Sequence, residues 1–557
     1  MITNISLKFG KAPGCQPTSF VPNAITVFVG PNNSGKSLVL RELLYYCQNG
    51  NQNSQNLILD SIQFESFEPE IASMKIADVS ISPNFQEVIL PGHILVGKKG
   101  TRSQVNKTSL QNALENPNKN QTQFCSWYLS YNTLFLDGQS RINLVNDQPA
   151  GDLQKPPHSS LQAFAKEDIK RQNIRRIIFE AFGKYFVIDP TNLGKLRIRL
   201  SEREPNSTRE EIGIHQEAVS FHSNAQHISE ASDGVKAFTG ILTEVIAGDP
   251  NIIIIDEPEA FLHPALANKL GLEISKATIG SDKNVFISTH SPNFIMGCIQ
   301  SGVAVNIIRL TYKNNVPTAR ILPNNEILKL MRNPLLRSTN VLSGLFYESV
   351  LVTESDSDRA FYQEINERLL RFNPERGIQN ALFINAQNKQ TVSTIIKPLR
   401  DLGIPAMGIV DVDVLKDGGM VFTNLLNSIS IPQISHSGLA AIRLSIKTKC
   451  EASGLDMKRN GGVSILDVND ALAANDFFDQ LADYGFFCVR CGELESWLKG
   501  LAITGHGPTW LIKMFERLGE DPDSSTYIRP SDDDVWAFLY AIKQWSSDPN
   551  RKGIPTN

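Results

Sequence analysis

Long apolar runs are missing from this chain. No window approaches the about 20 consecutive apolar residues that a bilayer-spanning helix needs, so no membrane partner is expected. Cysteine is scarce as well: seven, an odd number and scattered, which argues against a disulfide framework. A single CxxC, Cys488 to Cys491, has no second pair to complete a zinc site and reads as two half-buried thiols in or near a strand. Charge of one sign is also lacking. The formal net charge is −4, so a nucleic-acid surface would have to be a local patch. Candidate patches are KEDIKRQNIRR (Lys166 to Arg176) and IKTKCEASGLDMKR (Ile446 to Arg459), although segments of this kind are more often solvated helix faces. The opening MITNISLKFGKAPG has no basic-then-apolar signal pattern, so a cytoplasmic location is expected. No internal repeat of fixed period is present.

What is there is a soluble composition, 41% hydrophobic and 20% charged, in 557 residues, enough for two to four domains. Short β-like runs (NISLKF, ITVFVG, HILVG, TLFLDG, KLRIRLSE) alternate with helical spacing in DIKRQNIRRIIFEAFGKYF. Two amide-rich stretches, Gln48 to Asn56 and Gln111 to Gln123, read as polar loops or insertions. NIIIIDEP and KNVFISTHSP are continuous apolar runs that end in polar residues, the pattern of buried parallel strands with chemistry at their C-terminal ends. After MRNPLLRSTNVLSGL the strand–helix alternation starts afresh with SVLVTE, ALFINA and AMGIVDVD, which marks a second α/β unit. The expected domains are residues 1–340 and 341–557, the latter closing on an amphipathic helix in DDVWAFLYAIKQWSS.

GPNNSGKS, Gly30 to Ser37, fits G-x-x-x-x-G-K-S between a strand and a helix. Such a loop curls backbone N–H groups around phosphate oxygens and adds the helix dipole. Gly30, Asn32, Asn33, Ser34 and Gly35 are therefore expected to bind nucleotide, with Lys36 on the β/γ-phosphates and Ser37 on Mg²⁺. In IIIIDEP, Asp256 would join the Mg²⁺ shell, and Glu257 would orient or deprotonate the attacking water. His290 in STHSP is placed to contact the γ-phosphate.

These residues resemble the ATP-binding cassette superfamily in its SMC-like branch. DEPEAFLHP (Asp256 to Pro264) matches that branch's Walker B and D-loop run. Ser232, Asp233 and Gly234 in ISEASDGVKAF stand where the family usually has Ser-Gly-Gly. The resemblance implies an ATP-sandwiching homodimer or higher oligomer, with Ser232 and Gly234 completing the site of another copy. Gln139 in FLDGQSRI is a candidate for the family's Q-loop glutamine.

The second unit gathers acids. Glu354 and Asp358 bracket ESDSD at the end of one strand, and Asp411 and Asp413 end a later one, both on one face because strand side chains alternate. Four carboxylates in one place repel each other, and a divalent cation with hard oxygen ligands, Mg²⁺ or Mn²⁺, removes that cost. Acids that merely cap helices are the alternative. The pattern resembles the TOPRIM domain. VTESDSDRAFY, behind an ATPase of this kind, resembles the OLD (overcoming lysogenization defect) family of nucleases. The implied fold class is α/β: an N-terminal ABC/SMC-like P-loop ATPase domain, then a C-terminal TOPRIM domain with a parallel sheet.

Carried over, Glu354, Asp358, Asp411 and Asp413 are metal ligands. GELESWLK offers Glu495, rather than Glu493, as a further acid and Lys499 as a lysine near the scissile phosphate. Ser355 departs from the family's usual glycine and should tighten the loop. The resemblance implies a metal-dependent endonuclease acting on DNA, most often double-stranded, whose ATPase gates or assembles it. It also points to prokaryotic anti-phage defence, retron-linked systems included, with room for a companion protein, RNA or noncoding DNA encoded nearby. The competing expectation is a DNA-structure-sensing repair or recombination ATPase with a non-catalytic TOPRIM platform. A topoisomerase or primase lacks support, since no zinc ribbon or assignable tyrosine nucleophile is seen. An RNA target, the trigger and the stoichiometry are left open.

Overall fold

A computed structural model of the protein describes residues 2–51, 55–98, 101–152, 154–155, 157–313 and 315–555. The chain divides into two compact units, Met1–Asn324 and Asn325–Asn557. The division falls before residue 340, so the helices Asn324–Arg332 and Pro334–Ser338 belong mainly with the second unit.

The first unit is organised by a six-stranded sheet. Its strands are β1 (Ile25–Val29), β2 (Thr133–Leu136), β3 (Ile252–Asp256), β4 (Asn284–Ser288), β5 (Val305–Lys313) and β6 (Val316–Leu322), in the order β6-β5-β1-β4-β3-β2. All neighbours are parallel except the β5–β6 hairpin. Ile252 to Ile255 are completely buried, which is why β3 reads as an unbroken apolar run rather than an alternating one. The register places Asp256 beside Ser288 and Ile255 beside Leu136. The residues that follow β1, β2, β3 and β4 therefore share one edge of the sheet. Helix α1 (Lys36–Asn49) leaves that edge, and helix α2 (Asp233–Ala247) precedes β3.

The amide-rich stretch Gln111–Gln123 is not a loop. It lies in two helices, Lys107–Glu115 and Gln121–Trp127, with a short turn between. Leu110, Ala113, Leu114 and Phe124 are buried at helical spacing. The Asn118 side chain accepts from Phe64 N (2.8 Å) and donates to Phe64 O (2.7 Å), so its amide joins a neighbouring strand instead of solvent. Of the other amide-rich stretch, Gln48 and Asn49 end α1, while residues 52–54 lie outside the described residues.

The second unit has one parallel sheet of β7 (Ser349–Thr353), β8 (Ala381–Asn385), β9 (Ala406–Asp411) and β10 (Phe486–Val489), ordered β8-β7-β9-β10. The chain runs from β7 out to β8, then crosses to the other side for β9. The crevice beyond the ends of β7 and β9 is thus the point where the strand order reverses, the usual ligand position in such sheets. Helix α3 (Asp356–Phe372) follows β7, and α4 (Lys389–Asp401) precedes β9. Helix α5 (Asp534–Ser547) forms from the amphipathic segment read in the sequence and buries Val535, Trp536, Leu539, Ile542 and Trp545. Its tryptophans pack with Phe361, Tyr362 and Trp510 in the core of this unit. Cys488 is buried in β10 and Cys491 follows it, both as free thiols. Among the described residues, no helix is long and apolar enough to cross a membrane.

Candidate functional site

In the first unit the phosphate loop turns where its glycines allow it. Gly35 takes φ 93 as it opens α1, a left-handed conformation that a side chain would resist. Lys36 is buried, and its ammonium donates to the carbonyls of Gly30 (2.9 Å) and Pro31 (2.7 Å). Burial pulls its pKa down to about 8 against the opposing pull of Glu257, Asp256 and Glu259. Ser37 Oγ donates to Asp256 Oδ1 at 2.9 Å, and Ser288 donates to the same oxygen. The expected Mg²⁺ pair, Ser37 and Asp256, is therefore in contact. His290 Nε2 lies 3.6 Å from Glu257 Oε1. Burial, then Lys36, hold the imidazole below its ordinary pKa.

Ser232 and Asp233 are exposed at the start of α2. Among the described residues no hydrogen bond ties Ser232 to the phosphate loop. Gly234 packs on the segment after Walker B instead, where a Cβ would come within 2.7 Å of Phe261 O. Gln139 is exposed in the turn after β2.

The charged segment Lys166–Arg176 is largely spent internally. Arg171 and Arg175 are buried and donate to Glu211 at 2.9 and 2.5 Å. That removes two of its cations from any nucleic-acid patch.

The second unit brings its acids together. Glu354 Oε1 accepts from Asp411 N at 2.8 Å across adjacent strand ends. Burial, reinforced by Asp411, pushes the Glu354 carboxyl up to about 8, and burial pushes Asp411 to about 7 against the pull of Lys458. Asp358 is also raised by burial. Its Oδ2 accepts from Ser355 N (2.9 Å) and Ser355 Oγ (2.8 Å), closing a capping box with Asp358 N on Ser355 Oγ (3.2 Å). Ser355 thus tightens the turn, and Asp358 caps a helix while facing the cluster.

Asp413 does not extend the strand. β9 ends at Asp411, and Asp413 lies in the 3₁₀ turn Val412–Lys416, so strand alternation does not explain its position. It still acts electrostatically on Glu354 and Asp411, and its buried Oδ1 has no hydrogen-bond partner among the described residues. Lys389 approaches Asp413 Oδ2 at 3.1 Å from the start of α4.

Sequence reasoning missed both Lys389 and Lys458. Lys458 Nζ is 2.7 Å from Asp411 Oδ2 and 3.9 Å from Glu493 Oε2. Burial opposes its charge, but Asp411, Asp413 and Glu354 together hold its ammonium above the ordinary value. Lys499, by contrast, is exposed and makes no ion pair with a cluster acid among the described residues. The signal was present in IKTKCEASGLDMKR, but nothing in that segment says which cation turns inward. Its backbone is held against Gly492, where a Cβ would meet Lys458 O at 2.2 Å. Glu495 stands beside Asp358 electrostatically and accepts from Gly507 N at 2.6 Å. Its Oε1 is 2.7 Å from His506 Nδ1, and Glu493, Glu495 and His506 converge closely enough to share an ion. Trp497 Nε1 donates to Tyr362 OH at 2.9 Å, pinning this segment to α3.

Comparison with known proteins adds three findings. Residues 156–296 match the family described as "AAA domain, putative AbiEii toxin, Type IV TA system". The matched stretch takes in Asp256, Glu257 and His290 but not the phosphate loop. The Old nuclease of Escherichia phage P2 is 29% identical over 177 residues, covering 30% of this chain and 28% of that protein. The aligned region is thus under a third of that relative's length. Among solved structures, an SmcHead bound to the C-winged helix domain of ScpA is similar at 13% identity, covering 59% of this chain and 99% of that one, with a TM-score of 0.34. The SMC head domain from Thermotoga maritima is similar at 12% identity, over 58% and 99% of the two chains, with a TM-score of 0.29.

Proposed function

We propose that this protein is an ATP-binding and ATP-hydrolysing, divalent-metal-dependent nuclease. In this reading the first unit takes ATP and the second, a TOPRIM-type domain, cuts phosphodiester bonds. One observation carries it: Glu354 and Asp411, far apart in sequence, are hydrogen-bonded at neighbouring strand ends where the strand order reverses.

The donor set fits a hard divalent cation. The ligands are carboxylates, burial raises the pKa of two of them towards neutrality even with Lys458 beside Asp411, and Asp413 presents a buried oxygen without a hydrogen-bond partner among the described residues. Glu354, Asp358, Asp411, Asp413 and Glu495 would hold Mg²⁺ or Mn²⁺. A cation bound there supplies Lewis-acid polarisation of the phosphodiester and a water of lowered pKa. Lys458, already at the cluster, would pair with a substrate phosphate oxygen once its carboxylates turn to metal. In the first unit, Gly30 to Ser37 would cradle the phosphates, Ser37 and Asp256 would hold Mg²⁺, and Glu257 with His290 would face the γ-phosphate. Ser232 and Gly234 of one copy would complete the ATP site of another in a homodimer or larger assembly, with ATP gating or assembling the nuclease.

Double-stranded DNA is the proposed substrate and prokaryotic anti-phage defence, in the cytoplasm, the proposed setting. The partial likeness to a phage-encoded nuclease and to a family described as a putative toxin supports the setting. A second reading, a DNA-associated ATPase with a non-catalytic platform, is favoured by Lys458 and Lys389, which already neutralise Asp411 and Asp413. Incubation of plasmid and of RNA with the protein, Mg²⁺ or Mn²⁺, with and without ATP, separates the two. Cleavage that disappears in Glu354→Ala supports the nuclease. Intact plasmid and RNA under every condition leave the platform.

A further inference from the structure

Arg141 belongs to none of the nucleotide motifs, yet it sits where three of them meet. It follows β2 through a turn in which Asp137 Oδ1 accepts from Ser140 N (2.8 Å) and Gln139 N (3.2 Å). The residue is 2% exposed. Its Nη1 donates to the main-chain carbonyl of Glu257 and, at 3.3 Å, to that of Asp256. No other described side chain donates to either carbonyl.

The backbone it grips is unusual. Glu257 has φ 51 and Phe261 has φ 71, a region where side chains other than glycine's are disfavoured and which persists only where the surroundings impose it. Glu257 N donates to Ser288 O at 3.0 Å, so β4 holds one side of this residue and Arg141 holds the other. The guanidinium also lies 5.8 Å from the centre of the Phe261 ring. Helix α2 closes the junction from behind. A Cβ on Gly240 would come within 2.3 Å of Arg141 O, and one on Gly234 within 2.7 Å of Phe261 O. Both approaches leave room for glycine alone.

We propose that Arg141 is a positioning residue for ATP hydrolysis, fixing the strained main chain at Glu257 and with it the carboxylate that stands 3.6 Å from His290. The inference depends on the ATPase reading above. Arginine suits the task because its planar Nη1 carries two N–H groups, enough for two neighbouring carbonyls, and it stays charged when buried beside acids. Lysine keeps the charge but presents its donors on a flexible stem rather than in a fixed plane.

The test uses the full chain with Arg141→Met and Arg141→Lys, reading steady-state ATP turnover, affinity for a fluorescent ATP analogue, and melting temperature. Arg141→Met should lower kcat about 100-fold, the effect of a displacement of roughly 1 Å at a reacting group. Analogue affinity should stay within about twofold, since the phosphate loop is untouched. Arg141→Lys should recover about tenfold of the lost turnover and melts as the wild type does, which guards against a Met variant that fails to fold. Unchanged turnover in both variants overturns the proposal, as does a parallel loss of affinity and turnover in the folded Lys variant. Wild-type protein that binds the analogue without hydrolysing ATP overturns the ATPase reading itself, before any substitution is considered.

Discussion

At the end of β3, Asp256 meets the hydroxyls of Ser37 and Ser288; at the end of β9, Asp411 meets the ammonium of Lys458. Both acids close a buried parallel strand, yet their surroundings differ in kind. The first site keeps its cation, Lys36, folded onto the carbonyls of its own loop. It can be built from eight consecutive residues because backbone N–H groups and a helix dipole do most of the phosphate binding. The second site has no such loop. Acids from three segments crowd together, and their repulsion is held in check by protons on Glu354 and Asp411 and by lysines from two further segments. A site made of backbone tolerates changes in its neighbours, whereas a site made of opposed charges depends on every one of them.

Substitutions that separate the two sites should show the largest effects. Asp411→Asn should lower nucleic-acid cleavage by about 10³-fold, the several kcal/mol that a correctly held metal supplies, while ATP binding by a fluorescent analogue is unchanged. Lys36→Met should do the reverse, lowering ATP turnover by about 10²- to 10³-fold and leaving Mn²⁺ binding, followed by calorimetry, as in the wild type. If either substitution abolished both ligands' binding, the contrast between the sites would collapse.

The lysines sharpen the comparison at intermediate scale. Lys458→Met should cost about 10- to 100-fold in cleavage rate, as loss of a partner to metal-binding groups does. Lys499→Ala should stay within about twofold, like other exposed substitutions. Equal losses from the two, measured on the same plasmid substrate, would restore Lys499 to the role expected from the sequence.

The smallest effect is in pH. Glu354 at about 8 and Asp411 at about 7 bind protons more tightly when folded than the about 4 of an unfolded carboxylate. Their contribution is therefore complete at pH near 4 and is lost as pH rises through 7 and 8. The melting temperature of chelator-treated protein should fall across that window. Mn²⁺ should flatten the fall, and Glu354→Gln should remove much of it.

Much of this arrangement was legible beforehand. The phosphate loop, the Walker B strand and the acidic ends of β7 and β9 all announce themselves as apolar runs ending in polar residues, because a buried parallel strand leaves only its tip for chemistry. Gln111–Gln123 misleads because amides ordinarily suit solvent, whereas Asn118 completes a neighbouring strand's hydrogen bonds. Strand alternation groups Asp413 with Asp411, but the strand ends at Asp411, two residues short of it.

The order of residues alone determined where phosphate can be cradled and which strands end in acid, since those properties reside in short contiguous stretches governed by backbone geometry and side-chain period. Only the tertiary structure decided that Lys458 rather than Lys499 faces the carboxylates, that Arg141 grips Glu257, and that Arg171 and Arg175 turn inward to Glu211. A long cationic side chain can reach several neighbours. Which one it meets is settled by close backbone approaches between distant segments, such as Gly492 against Lys458, that no local pattern encodes.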